Sequence, residues 1–247
     1  MKFQTAITHI TPEGERIRGY ELAELAQQNS FAKAIWLLLR GEMPSVAEAK
    51  MFSALLTMAI DHGPGTASAQ VTRIVASAKT SVQAAVAAGI LSMGERHGGA
   101  IEGAAKFFAA NHTVADVASL VKDLKDKKVR IPGYGHAILT HDARSTALLD
   151  LARELNLHGP HAAFAEKVQL ELNQISSKPL PLNIDGSMAS ILLDLGFASQ
   201  ALTGVFIIAR VPGLVAQANE EMTNDVGLRR LSEDEIEYTG PAPRKLA

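Results

Sequence analysis

From Tyr20 onward almost every segment of this chain carries helical periodicity, and each is cut short by glycine, proline or both. That alternation confines the fold to a mainly α arrangement of helices joined by short breaks. Residues 3–18 alternate around Pro12-Glu13-Gly14 and predict a short N-terminal β-hairpin. Helices are expected over Glu21–Gln28 and Phe31–Arg40, and from Pro44-Ser45 towards Ile60, with Gly41 in the place of a C-cap. Two alanine-rich helices at about 67–78 and 81–93 have side chains small enough for close approach of their axes. Further helices are expected at about 100–110, 114–127, 142–156, 161–175, 187–195 and 199–218.

Composition narrows the function classes. A chain of 247 residues, 47% hydrophobic and 20% charged, buries a real core as one large or two small domains. No repeat or linker divides it, so a second domain must be inserted rather than appended. A net charge of −2 provides no basic field for nucleic acid, and any anion site must come from a few placed arginines. With no cysteine, disulfides, thiol nucleophiles and thiolate metal sites are excluded. The N-terminus lacks a long apolar run, and the most apolar window, Ala201 to Ala218, is interrupted by Arg210 and Pro212. The expectation is a cytoplasmic protein with neither signal peptide nor membrane span.

The chemistry-bearing residues sit at the breaks. Arg130-Ile-Pro-Gly-Tyr-Gly-His136 cannot propagate a helix, but it can present successive backbone N–H groups to an anion or a nucleotide edge, with His136 at the rim and Arg144 close behind. The same stretch also reads as a tight turn ending in a capping histidine. His62, His97, His136 and Asp185 each have a glycine within two positions, which lets backbone approach a ligand. Singly, the histidines also suit helix C-termini, and Asp185 suits an N-cap. Arg210 is a charge in an otherwise apolar helix with no acid one turn away, so its partner must come from elsewhere or from a ligand. Arg144 and Arg230 are candidates for the same carboxylate clamp. Lys122, Lys125, Lys127 and Lys128 form either a solvated helix end or a phosphate contact. His158 and His161 lack a supporting carboxylate motif, read as loop, and suggest no metal site.

Together these motifs carry a resemblance. Pro132-Gly-Tyr-Gly-His136 with Asp142-x-Arg144 resembles the citrate synthase signature loop. Arg18-Gly-Tyr20, Gly41-Glu42-x-Pro44, Asp61-His62-Gly63, His97-Gly-Gly-Ala100, Asn183-Ile-Asp185-Gly186 and Ala209-Arg210 with Gly213 fall in that superfamily's order. Only one helix separates Gly-Glu-x-Pro from Asp-His, where citrate synthases have a long helical segment. That compact form is most similar to citryl-CoA lyases, including the lyase module of ATP-citrate lyase, although the animal module has an aromatic where this chain has His97.

The resemblance implies a citrate synthase-like fold with a large domain (1–97 and 197–247) and a smaller inserted domain (98–196) that closes over substrate. It implies cleavage of citryl-CoA to acetyl-CoA and oxaloacetate, with condensation by a citrate or methylcitrate synthase, or a non-catalytic coenzyme A-binding subunit, as alternatives. Asp185 would exchange a proton with the thioester methyl, His97 would stabilise the enol, and His136 would serve the hydroxyl of citryl-CoA. His62, Arg144, Arg210 and Arg230 would hold carboxylates, Arg230 from across a homodimer or larger homo-oligomer. Arg130, Ile131, Pro132, Gly133, Tyr134 and Gly135 would meet the adenine of coenzyme A, which enters as a thioester substrate. No metal and no permanently bound cofactor is implied.

Overall fold

A computed structural model describes residues 2–28, 30–95, 97–135 and 141–245. Strands β1 (Thr8–Thr11) and β2 (Gly14–Ile17) pair antiparallel with Thr8 opposite Ile17. A third strand, β3 (Tyr20–Glu21), extends the expected hairpin by pairing Glu21 with Arg16. The helices among the described residues are α1 (Leu22–Gln28), α2 (Phe31–Arg40), α3 (Val46–Met58), α4 (Ala67–Ser77), α5 (Val82–Leu91) and α6 (Ala100–Asn111). They continue with α7 (Val117–Asp126), α8 (Ala143–Glu154), α9 (Pro160–Ile175), α10 (Ile184–Asp194) and α11 (Leu202–Asn224).

Local chemistry sets several of these boundaries. Gly41 takes φ 82° and donates its N–H to the Leu37 carbonyl at 2.8 Å, closing α2 as its C-cap. Ser45 and Glu48 form a capping box that satisfies two amide donors at the start of α3. Asn183 caps α10 by accepting from the Gly186 N–H at 3.1 Å, so Asp185 lies inside the first turn rather than at the cap itself.

The chain divides by its contacts into two compact units, Met1–His62 with Met93–Gly213, and Gly63–Ser92 with Leu214–Ala247. Contact density defines these units; the expected large and small domains concern closure about a cleft.

In the first unit, α10 is buried along most of its length and packs on α6, α8 and α9. Trp36, Phe52 and Phe197 meet with ring centroids 5.0–5.5 Å apart and join α2 and α3 to the segment after α10. Phe108 packs edge-on to both Tyr134 and Phe164, which ties the 130–135 stretch to α6 and α9.

In the second unit α4 and α5 pack closely: a Cβ on Gly89 would fall 2.1 Å from the Thr72 hydroxyl. Glu221, buried on α11, accepts from Arg73 at 2.9 Å and from Arg229 at 2.6 and 2.8 Å. These bonds tie the segment after α11 to α4.

The helix expected to stop near residue 218 runs on to Asn224, straight through Pro212. Proline removes the N–H that would bond the Ile208 carbonyl, but burial of Leu202, Val205, Phe206, Ala209, Leu214 and Ala218 on either side outweighs one lost bond. The stretch Ser199–Asn224 is long and apolar enough to cross a membrane, yet half of its most apolar window is packed inside the protein.

Candidate active site

The site grows from the end of α3. Arg210 on α11 is only 5% exposed and donates from Nε to the Ala59 carbonyl at 2.9 Å, with its guanidinium carbon 5.1 Å from the Phe206 ring centre. A Cβ on Gly213 would lie 2.2 Å from the Ile60 carbonyl and 2.9 Å from the Asp61 Cβ, so only glycine lets α11 approach the turn that carries Asp61 and His62. Burial lowers the pKa of Arg210, while the charges of Asp61 and Asp185 act to raise it. The missing acidic partners of this arginine therefore come from outside its own helix.

His97 sits on a reverse turn rather than at the helix end the sequence suggests. Its N–H donates to the Gly94 carbonyl at 2.9 Å, Gly94 returns the bond at 2.8 Å, and α6 starts three residues later. A Cβ on Gly99 would come within 2.7 Å of the Gly94 oxygen, which fixes glycine there. Burial, and then the positive charge of Arg210, hold the His97 pKa below its usual range. At neutral pH it is a neutral imidazole, a hydrogen-bond donor rather than a cation.

Asp142 caps α8 and is 2% exposed. One oxygen accepts from Arg144 N–H at 3.1 Å and Arg144 Nε at 3.0 Å; the other accepts from Arg144 Nη2 at 2.9 Å and Ile184 N–H at 3.1 Å. Burial alone would raise its pKa, but these bonds and the Arg144 charge outweigh it and hold the carboxyl below the ordinary range. Arg144 extends Nη1 to His62 Nδ1 at 3.2 Å. Asp142 was visible in the sequence only as part of Asp-x-Arg; its place at an N-cap is what lets two residues so close in sequence face each other.

Asp185, half-buried in the first turn of α10, lies in the field of Arg144 and Arg210. Burial raises its pKa, the two arginines oppose that, and Asp142 adds to it; the net shift is upward. His62, His97, Arg144, Asp185 and Arg210 thus share one electrostatic neighbourhood. His136 lies outside the described residues. Arg230 is exposed and belongs to the second unit, where it lines a cavity with Pro64, Gln70 and Leu231.

The 130–135 stretch offers fewer free donors than its sequence suggests. Gly135 N–H is spent on the Pro181 carbonyl at 2.8 Å, Gly133 C=O accepts from Asn183 N–H at 2.9 Å, and the buried Tyr134 hydroxyl donates to Ala165 C=O at 2.8 Å. Ile131, Gly133 and Tyr134 are buried, so they brace the loop. Beside it lies a cavity of about 590 Å³ lined by Arg130, Ile131, Tyr134, Gly135, Lys125 and Lys128 among others. Of the lysine run, Lys127 pairs with Asp123 at 2.6 Å and Lys125 donates to the Ile175 carbonyl. The remaining histidine pair is spoken for: His158 meets Glu166 and His161 meets Asp194, each at 2.8 Å. No group of three or more possible metal-ligating side chains occurs among the described residues.

Comparison with known proteins relates the chain as a whole to a family. The model for citrate synthase, C-terminal domain, matches residues 1–59 and 46–231. The chain is similar to the citryl-CoA lyase of Hydrogenobacter thermophilus, with 42% identity, a TM-score of 0.94, and coverage of 99% of this chain and 97% of that one. It is also similar to the ATP citrate lyase of Methanothrix soehngenii, solved with citrate and coenzyme A, with 25% identity, a TM-score of 0.85, and coverage of 98% of this chain but 42% of that one. Citrate synthase 2 of Bacillus subtilis is 28% identical over 249 residues, covering 99% of this chain, which spans 66% of the synthase's length.

Proposed function

The chain belongs to the citrate synthase family, and from that premise we propose that it is a citryl-CoA lyase, cleaving citryl-CoA to acetyl-CoA and oxaloacetate. The observation that carries the reading is the similarity to a citryl-CoA lyase over 99% of the chain, at 42% identity; Asp185, its carboxyl pushed up by burial in the field of Arg144 and Arg210, supplies a suitable acid. In cleavage the hydroxyl of citryl-CoA loses its proton, the bond from the carbinol carbon to the thioester methylene breaks, and the electron pair passes into an enol of acetyl-CoA. That methylene carbon must then be protonated. A carboxyl that keeps its proton to higher pH than free aspartate is suited to that step.

Neutral His97 donates to the enol oxygen as negative charge develops there. Arg144 and Arg210 orient the carboxylates, while His62 donates to substrate oxygen. His136 would take the hydroxyl proton, a role assigned by resemblance alone. The cavity beside the 130–135 stretch, with Lys125, Lys128 and Arg130 on its wall, is the place for the nucleotide end of coenzyme A. Closure of 98–196 over the remainder of the chain would exclude water. A homo-oligomer, with Arg230 completing the site of a second copy, fits exposed apolar residues such as Leu228, Leu231 and Tyr238 after α11.

Condensation to citrate is the competing reading, favoured by the similarity to the Bacillus subtilis synthase. Supplying citryl-CoA and measuring oxaloacetate against free citrate separates the two. Oxaloacetate in excess supports the lyase; citrate in excess supports a synthase.

A further inference from the structure

The Asp142–Arg144–His62 chain carries more than a carboxylate clamp. A guanidinium has donors and no acceptor. The 3.2 Å approach of Arg144 Nη1 to His62 Nδ1 is therefore a hydrogen bond only if Nδ1 is unprotonated. The ring is then neutral, with its single proton on Nε2, a tautomer assigned from its partner. Arg144 is itself not free to turn. Asp142 holds its Nε and Nη2 in a fork, at 3.0 and 2.9 Å, and leaves Nη1 aimed at His62. The same carboxylate grips the Ile184 N–H at the start of α10, the helix that presents Asp185.

We propose that Asp142 is a positioning residue whose buried carboxylate, acting through Arg144, fixes His62 as the neutral Nε2–H tautomer, a dedicated donor to a substrate oxygen. His62 is then neither a general base nor a cation in this site. The inference rests on the lyase reading for the identity of that oxygen, but the tautomer itself is a property of the unliganded protein. The coupling is directional. Asp142 touches no substrate in this scheme, and its loss releases the guanidinium before it disturbs any reacting atom. The Ile184 bond ties the start of α10 to the same side chain, and an amide oxygen at this position can still accept it, so Asp142→Asn frees the clamp without freeing the helix.

Nitrogen-resolved NMR of the histidine-labelled full chain at pH 7.5 tests this, with His62 assigned by the signal lost in His62→Gln. The wild-type protein should show Nε2 protonated and Nδ1 bare. An Nδ1–H tautomer or a cationic ring would overturn the proposal without any variant. In Asp142→Asn the two His62 nitrogens should average towards a tautomer mixture, and KM for citryl-CoA should rise about ten- to hundredfold while kcat stays within about threefold. Arg144→Gln should give the same averaging, which keeps the test open if Asp142→Asn fails to fold. A fixed Nε2–H tautomer in either folded variant would contradict the coupling. Should the chain not cleave citryl-CoA, the NMR arm still decides, so failure of the lyase reading is distinguishable from failure of this one.

Discussion

Gly133 and Gly186 meet backbone to backbone. A Cβ on Gly133 would lie 2.8 Å from the Gly186 Cα, and one on Gly186 would lie 2.5 Å from the Gly133 carbonyl oxygen. Gly133 also takes φ 88°, where any other residue is strained. This contact presses the 130–135 stretch against the first turn of α10, one residue from Asp185. Gly133→Ala should therefore destabilise the protein by about 3 kcal/mol, strain and clash together. Chemical denaturation measures it; a loss within about 0.5 kcal/mol would mean that the loop yields easily.

Asp185→Asn should leave the fold intact, because α10 is capped by Asn183 and the change is nearly isosteric. Turnover should fall by about 10²–10⁴, the usual contribution of a placed proton donor. Circular dichroism and kcat, measured on the same preparation, check both halves. Near-wild-type kcat would remove Asp185 from the chemistry.

The raised pKa of Asp185 fixes a pH dependence with a definite sign. Cleavage needs the protonated acid, so the rate limb assigned to Asp185 should fall as pH rises through its value. Condensation needs the carboxylate, so the corresponding limb should rise with pH. That value should lie above the roughly 3.9 of a free aspartate. Paired pH–rate profiles in the two directions check this, and limbs of the same sign would contradict it.

Glu221→Gln should cost about 2–3 kcal/mol, because it removes the buried carboxylate that accepts from both Arg229 and the largely buried Arg73. The bonds from Arg229 and then Arg73 hold the pKa of Glu221 below its ordinary value. A depressed carboxyl pKa stabilises the protein above the unfolded value, about 4.3, and that stability is lost as pH falls through the folded value. Thermal melts of wild type and variant should therefore converge on acidification. A gap of constant size throughout the acid limb would assign the effect to packing.

Much of this was legible in the chain because it is local. The Gly41 stop, the Ser45–Glu48 box and the breaks at His62, His97 and Asp185 are written within a few residues of one another. What escaped was tertiary. Asp185 reads as a cap in sequence, but Asn183 takes that place and the Ile184 N–H of the same turn goes to Asp142, forty-two positions back. The Gly135 N–H looks available until the Pro181 carbonyl arrives from across the fold, and Asn183 donates to the Gly133 and Gly135 carbonyls. The apolar pattern of α11 fades after Ala218, but the helix runs on to Asn224, carrying the buried Glu221 to Arg73 and Arg229. Arg210 looks partnerless because the Ala59 carbonyl and the field of Asp61 lie about 150 residues away, a separation that no helical period encodes.

The most direct test of the account is the mass of the acetyl-CoA formed when the protein is given citryl-CoA in D₂O. Asp185 exchanges its proton with solvent and delivers it to the methylene carbon of the enol. The account therefore predicts acetyl-CoA bearing one deuterium on its methyl group, released with an equal amount of oxaloacetate. Free coenzyme A and citrate, with no deuterated acetyl-CoA, would contradict it.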